Sequence, residues 1–460
     1  MYLTAFHAEN LKCFAAASLE FPANEDGTRG GWNVLLGVNG TGKSTLLQAM
    51  ALTLVGPTIG SELLRLGERD KWIRREHDMA ILDARIGLSD RDTIVKGRRR
   101  VKPYPTRLYV SGSQPTQVEG VDLRQPTLVV SPKLRRSLEA GPYSGAGGWF
   151  SAGYGPFRRL SGGGLEEDQR LAWQGGPAGR HVSLFRESAA LSRCEPWLRD
   201  LHNMANDKSL PKEAREKATR RLSAARLLVD SLLPQGMRFG KITSQEVNFI
   251  NASGLAVELG QLSDGFRSFL SLAIDLLQQI IDADEWGQIK GSATDACHID
   301  TEGVVFIDEA DTHLHPSWQR ELGMRMCQVF PKIQFIVSTH SPFVAQAAHP
   351  GCLFVVRTEA DGQATVTREE ESVLGWTADQ ILLSPLFGLA STRDPDTDAL
   401  MRRRQTLLGQ RARNSAQVAE LAKISAKLTK RLTAPGDTLG EHDMDRAIKE
   451  HARRRGEAPP

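Results

Sequence analysis

Gly37, Gly42, Lys43 and Ser44 fit the pattern G-x-x-x-x-G-K-[ST]. Four fixed positions recur by chance in roughly one or two chains per hundred of this length, so the surrounding residues decide what the pattern means. Here the loop follows the apolar run Trp32 to Leu36 and opens helix-forming residues as far as Val55, which reads as strand, phosphate loop and about three turns of helix. Gly37, Gly40 and Gly42 remove side chains where backbone N–H groups must wrap an anion, and Asn39, Thr41 and Thr45 complete the loop. A helix starting at Lys43 aims the positive end of its dipole at that anion. The expected ligand is a phosphate chain, with Lys43 on the outer phosphates and Ser44 ligating Mg2+.

Three further groups suit the same ligand. In Gly303 to Asp311, an apolar run ends in Asp308 and Glu309, as a strand covered on both faces does where it emerges at its carboxyl edge. Asp308 is read as a holder of Mg2+ and Glu309 as the group that polarises an attacking water. Ser263 is placed to cap the apolar helix that follows Gln261, whose free N–H groups offer a second anion site. His340 ends the apolar strand Lys332 to Thr339, at an edge from which it reaches a γ-phosphate. Asp311, His313 and His315 are metal-ligand types, but no further ligand at suitable spacing accompanies them.

The elements that must hold these groups can be read in order. Tyr2 to Phe14 and Leu19 to Phe21 look like short strands at a sheet edge, Arg65 to Arg75 like a polar helix, and Ala80 to Leu88 like a strand. Arg91 to Arg107 carries seven basic residues in seventeen, which suits either a phosphate-backbone contact for DNA or RNA or a solvated hairpin. Thr127 to Val130 is a strand, and Gly141 to Gly164, which contains Tyr154 to Arg159 (YGPFRR), is a flexible or a nucleotide-facing connection. From His181 to Leu233 the pattern is helical, with Pro211 early in one helix and Pro234 ending it. Met237 to Phe249 and Leu255 to Leu259 return to strand character, and Leu353 to Val356 with Ala364 to Thr367 form a hairpin about Asp361 and Gly362. One basic helix is expected from Asp394 to about Leu432. Its narrow stripe of Leu407, Val418, Leu421, Leu428 and Leu432 suits a partner helix or its own core equally well.

With 460 residues, the chain exceeds the usual limit of a single compact core. Its 58 Lys plus Arg against 55 Asp plus Glu leave a formal charge of +3, too balanced to imply nucleic-acid binding without a local patch. The five cysteines are scattered and unpaired in sequence, which suits reduced thiols in a cytoplasm. No leader or membrane span is read, so no membrane partner is expected.

Taken together and in this order, Gly37 to Thr45, Leu262 to Ser268 (LSDGFRS), Val304 to Glu309 and His340 resemble the motifs of ABC-type ATPases of the SMC and OLD kind. The resemblance spans roughly residues 1 to 360 and implies an α/β fold: an ABC-type P-loop ATPase head with a mixed, largely parallel sheet core, an inserted helical lobe and a C-terminal helical extension. It implies a first ATPase half over 1–180, the lobe over 181–236, a second half over 237–370 and the extension over 371–460. It further implies ATP and Mg2+ as cofactors and a homodimer or higher oligomer, in which Ser263 and Gly265 act across the interface. Glu309 would be the catalytic base, His340 the γ-phosphate sensor, and Lys12 would approach the nucleotide. The chain departs from the family's LSGGQ at Asp264, Phe266 and Arg267, and only Gln125 and Gln169 are candidates for its glutamine loop. Gly375 to Leu389 and the helical tail look similar to the ATPase subunits of Septu-type antiphage systems. That likeness implies an ATP-hydrolysing regulatory subunit with an HNH nuclease partner and retron components nearby. The competing expectation is a DNA-repair or recombination ATPase that clamps DNA through Arg98 to Lys102.

Overall fold

The computed structural model describes residues 1–460 except 25–26, 65–69, 96–101, 124–126, 159–175, 190, 192–193, 234–236, 245, 252, 284–288, 291–297, 411, 435–436, 441, 445–446 and 448–460. The chain divides into two compact units, Met1–Ile381 and Leu382–Pro460. In chain order the strands are β1 (Tyr2–Leu11), β2 (Phe14–Glu20), β3 (Gly31–Leu36), β4 (Met79–Gly87), β5 (Tyr104–Ser111), β6 (Thr116–Val118), β7 (Val121–Leu123), β8 (Thr127–Val130), β9 (Ser151–Tyr154), β10 (Arg238–Ile242), β11 (Val247–Ile250), β12 (Ala256–Glu258), β13 (Ile289–Lys290), β14 (His298–Ile299), β15 (Gly303–Ile307), β16 (Ile333–Thr339), β17 (Leu353–Thr358) and β18 (Ala364–Glu369).

Two large sheets dominate the first unit, beside three small ones of two or three strands among the described residues. One has the order β18-β17-β3-β16-β15-β9, parallel from β17 to β9, with β18 returning antiparallel on β17. Every residue of β3, β15 and β16 is buried, as expected for parallel strands covered on both faces. The other sheet is antiparallel, of order β2-β1-β4-β5-β8. Its strand β4 alternates buried and less buried positions, so one face meets the core. The helix Lys43–Leu63 packs against strands of both sheets, and its Leu46, Met50 and Leu54 share one core with Phe6 and Leu82 from the second sheet and Phe306 and Ile336 from the first. Within that helix Gly56 has φ 79° and is followed by Pro57, so the regular turns stop at Val55 as expected. By length and composition this one helix among the described residues could cross a membrane, which corrects the expectation that no such run exists; it is mostly buried in the core instead.

Gln334 of β16 joins the layers: its amide donates to Leu3 O at 2.9 Å and accepts from Leu3 N at 2.8 Å. The side chain thereby offers β1 the pair of bonds that a neighbouring strand would offer.

Several expectations are corrected. The first strand stops at Leu11, because Asn10 and Lys12 take positive φ in the turn to β2. Of the helix expected over Arg65 to Arg75, residues 65–69 lie outside the described residues. Only a 3-10 turn, Asp70–Trp72, follows them. The glycine-dense stretch hides β9, a fully buried strand. In the second unit the single basic helix is two, Pro395–Gly409 and Ser415–Arg431, the second capped by the Asn414 side chain. Leu407, Ile424, Leu428 and Leu432 are buried between these helices, so most of the apolar stripe closes a local hairpin, while Val418 stays exposed.

The helices Cys194–Asn206 and Lys212–Leu232, with Pro211 as N-cap of the latter, pack on each other and on the helix Asp264–Asp282. The helix Gly176–Phe185, which straddles residue 181, packs instead on the Lys43–Leu63 helix and β9.

Candidate active site

Register in the parallel sheet gathers the site. Leu36 pairs with Thr339, Val337 with Ile307, and Ile307 with Tyr154, so Gly37, His340, Asp308 and Gly155 all follow strand ends at one carboxyl edge. The phosphate loop turns through Gly40 (φ 83°) and Gly42 (φ 99°). A Cβ on Gly42 would stand 2.6 Å from the Phe14 ring and 2.7 Å from Cys13 Sγ, so the first hairpin presses on the loop where only glycine fits. Thr41 Oγ1 donates to Val38 O at 2.9 Å and closes the turn. Lys43 Nζ, 6% exposed with its residue, donates to Gly37 O and Val38 O at 2.8 Å each. Burial lowers the Lys43 pKa, against the pull of Asp308, Glu309 and Asp311. Asn39 and Gly40 are exposed, whereas Thr41 and Thr45 are buried.

At the neighbouring strand end Asp308 is 3% exposed and accepts from the Ser338 hydroxyl, with the Ser44 hydroxyl facing it. Burial raises its pKa, while the two serines and Lys43 oppose the rise. Glu309 has φ 45°, its N–H donates to Ser338 Oγ at 2.8 Å, and its carboxylate accepts from Thr312 Oγ1 at 3.0 Å. Ser338 thus links the Glu309 backbone to the Asp308 carboxylate. Asp311 accepts from Thr339 Oγ1 and lies 3.2 Å from His340 Nε2.

Sequence reasoning missed Arg158. It is 6% exposed, and its Nη2 donates to Glu309 O at 2.5 Å and Asp308 O at 3.3 Å. Burial pushes its pKa down to about 10, opposed by Asp308, Asp311 and Glu309. The stretch Tyr154 to Arg159 held the signal, and the structure brings Arg158 of that stretch against the acidic strand end. Gln125 and Gln169 lie outside the described residues.

Ser263 is the N-cap residue of the Asp264–Asp282 helix, but its side chain makes no capping bond. Gly265 is packed so tightly that a Cβ would stand 1.9 Å from His313 O, which places the signature turn on the backbone just beyond the acidic strand end. Phe266 packs on Trp318 at 5.4 Å between ring centroids, and Arg267 pairs with Asp264 and donates to Gly260 O at 3.0 Å. The departures from LSGGQ therefore serve to fasten this helix. Lys12 Nζ sits 4.4 Å from the centroid of the Trp72 ring, and its neighbour Cys13 is the residue packed against the loop. His315 caps the helix Pro316–Val329, and no group of three or more possible metal ligands occurs among the described residues.

The residues fit a nucleotide with its cation. Lys43 is satisfied by loop carbonyls that an anion can displace, and the hydroxyl of Ser44 already meets a buried carboxylate, the hard-oxygen pair that Mg2+ takes.

Strand order, phosphate loop, acidic strand end and signature turn together make an arrangement similar to that of ABC-type AAA ATPases. A family model described as "AAA domain" matches residues 6–118, and one described as "AAA domain, putative AbiEii toxin, Type IV TA system" matches residues 183–345. The chain is similar to the Septu protein PtuA of Bacillus mycoides (strain KBAB4), 26% identical over 439 residues that cover 95% of this chain and 52% of that protein. It is also similar to the Retron Ec83 probable ATPase of Escherichia coli, 35% identical over 95 residues, 21% of this chain and 16% of that one. Among solved structures, the SmcHead bound to the C-winged helix domain of ScpA aligns with 80% of this chain and 98% of its own at 13% identity, with a TM-score of 0.47. The chain spans about half the length of the Septu relative.

Proposed function

We propose that this chain binds ATP with Mg2+ and hydrolyses it slowly, as the regulatory ATPase of an antiphage defence complex in the cytoplasm. The observation that carries the reading is the convergence of Lys43, Ser44, Asp308, Glu309 and His340 at one sheet edge. Lys43 would hold the outer phosphates, with Ser44 and Asp308 holding Mg2+. Mg2+, when bound, neutralises phosphate charge and so lowers the cost of crowding anions at the edge. Glu309 orients the water and takes its proton, and His340, kept in place by Asp311, senses the outer phosphate.

The signature turn, carrying Ser263 and Gly265, would meet the phosphates of a second copy, whose own turn would complete this site. Likeness to the Septu and retron proteins supports a place in a defence system; the partner in this reading is a nuclease of the HNH type, with retron components as further partners. The DNA-clamping reading depends on residues 96–101, outside the described residues.

Phosphate release from Mg-ATP tests the reading. The wild type turns over, and Lys43→Ala weakens binding of a fluorescent ATP analogue by at least about a hundredfold, the scale of losing a charged phosphate contact. Unchanged binding in that variant would remove Lys43 from the site.

A further inference from the structure

Arginine is almost never fully buried without partners, so a guanidinium at the acidic edge calls for a reason. Arg158 follows β9, and β9 pairs in parallel with β15, which brings the two strand ends side by side although Arg158 and Asp308 are 150 residues apart in sequence. Between them stands Glu309, whose φ of 45° lies in the left-handed region that a glutamate seldom adopts. Such a conformation persists only where the surroundings over-determine it. Here both polar groups of its backbone are gripped from either side: the N–H by Ser338 Oγ on β16, the C=O by Arg158 Nη2. The same Nη2 reaches Asp308 O, so one guanidinium spans two successive carbonyls. Arg158 Nε makes no hydrogen bond among the described residues.

We propose that Arg158 is a positioning residue for hydrolysis, which pins Glu309 in its left-handed conformation and so sets where its carboxylate stands. The inference rests on Glu309 being the base of the proposed reaction. Removing the guanidinium lets the Glu309 peptide relax, which slows the chemical step while Lys43 and the phosphate loop still bind nucleotide.

The test is a double-mutant cycle in single-turnover hydrolysis of Mg-ATP. Arg158→Ala is expected to lower kcat by about thirtyfold or more while KM for ATP stays within about threefold, the pattern of a group that acts only in the reaction step. In a Glu309→Gln background the same change is expected to cost less than about twofold, because its effect passes through the lost carboxylate. Arg158→Lys, which keeps the charge but not the fork, should lose less than Arg158→Ala and serves in the cycle if the alanine variant does not fold. Full additivity in the Glu309→Gln background, or loss of ATP binding together with turnover, would overturn the proposal in favour of a nucleotide contact or a folding role. An Arg158→Ala chain as fast as an active wild type sinks the inference alone. A wild type that releases no phosphate sinks the reading beneath it as well.

Discussion

Lys43 and Asp308 are both pushed by burial toward their neutral forms, and neighbouring charges and hydrogen bonds oppose that push. That is a poised arrangement: loop carbonyls on the lysine and serine hydroxyls on the carboxylate exchange for phosphate and metal without new groups being dehydrated. Ser338 is the residue to remove if the linkage matters, since it serves Glu309 N–H and Asp308 at once. Ser338→Ala should cost about 1–3 kcal/mol in urea unfolding, as for a hydrogen bond whose partners stay behind, together with a loss of turnover. A cost below about 0.5 kcal/mol would show the link to be idle. Lys43 with Ser44, and Asp308 with Glu309, could be singled out from the sequence because each pair sits in one short segment of recognisable spacing. Arg158 and Ser338 could not: each gains its role from a neighbour on another strand, and no local pattern encodes that register.

Among the elements, β3, β15 and β16 announced themselves as apolar runs because both their faces are covered. The strand β9 did not, since Ser151, Ala152, Gly153 and Tyr154 include no such run. Its cover is the helix Gly176–Phe185, which lays His181 against Gly153. His181 is wholly buried, Nδ1 lies 2.7 Å from Pro177 O, and Nε2 has no partner among the described residues. Burial pushes its pKa from 6.5 down to about 4. The unfolded chain therefore binds a proton that the folded chain refuses between about pH 6.5 and 4. Stability is full above that window, falls as the pH drops through it by roughly 3 kcal/mol and levels off below it. Urea midpoints measured across this range should show the slope, and His181→Leu should flatten it. An equal slope in the variant would assign the effect to other groups. The single basic helix expected near the C-terminus failed for a different reason: the break at 410–414 rests on the Asn414 cap, which helical periodicity across the stripe conceals.

At the scale of the whole molecule, the proposed dimer would make the signature turn and the phosphate loop each half of a site, so the proposed reaction would need two copies. Glu309→Gln should let ATP bind while turnover falls to a slow residual rate, so that a dimer accumulates with ATP and Mg2+ and disperses with ADP on a sizing column. A variant that stays monomeric at saturating ATP would count against assembly around nucleotide. Four ordered motifs carried the reading of the first unit, and the C-terminal extension expected from residue 371 compares with a division after Ile381. Gln334 adds a mechanical point. By bonding β1 as a strand would, from within the strand that lies between the phosphate-loop strand and the acidic strand, it rivets the two layers together. A pull on β16 at the sheet edge would therefore reach β1 through side-chain bonds as well as through the shared core.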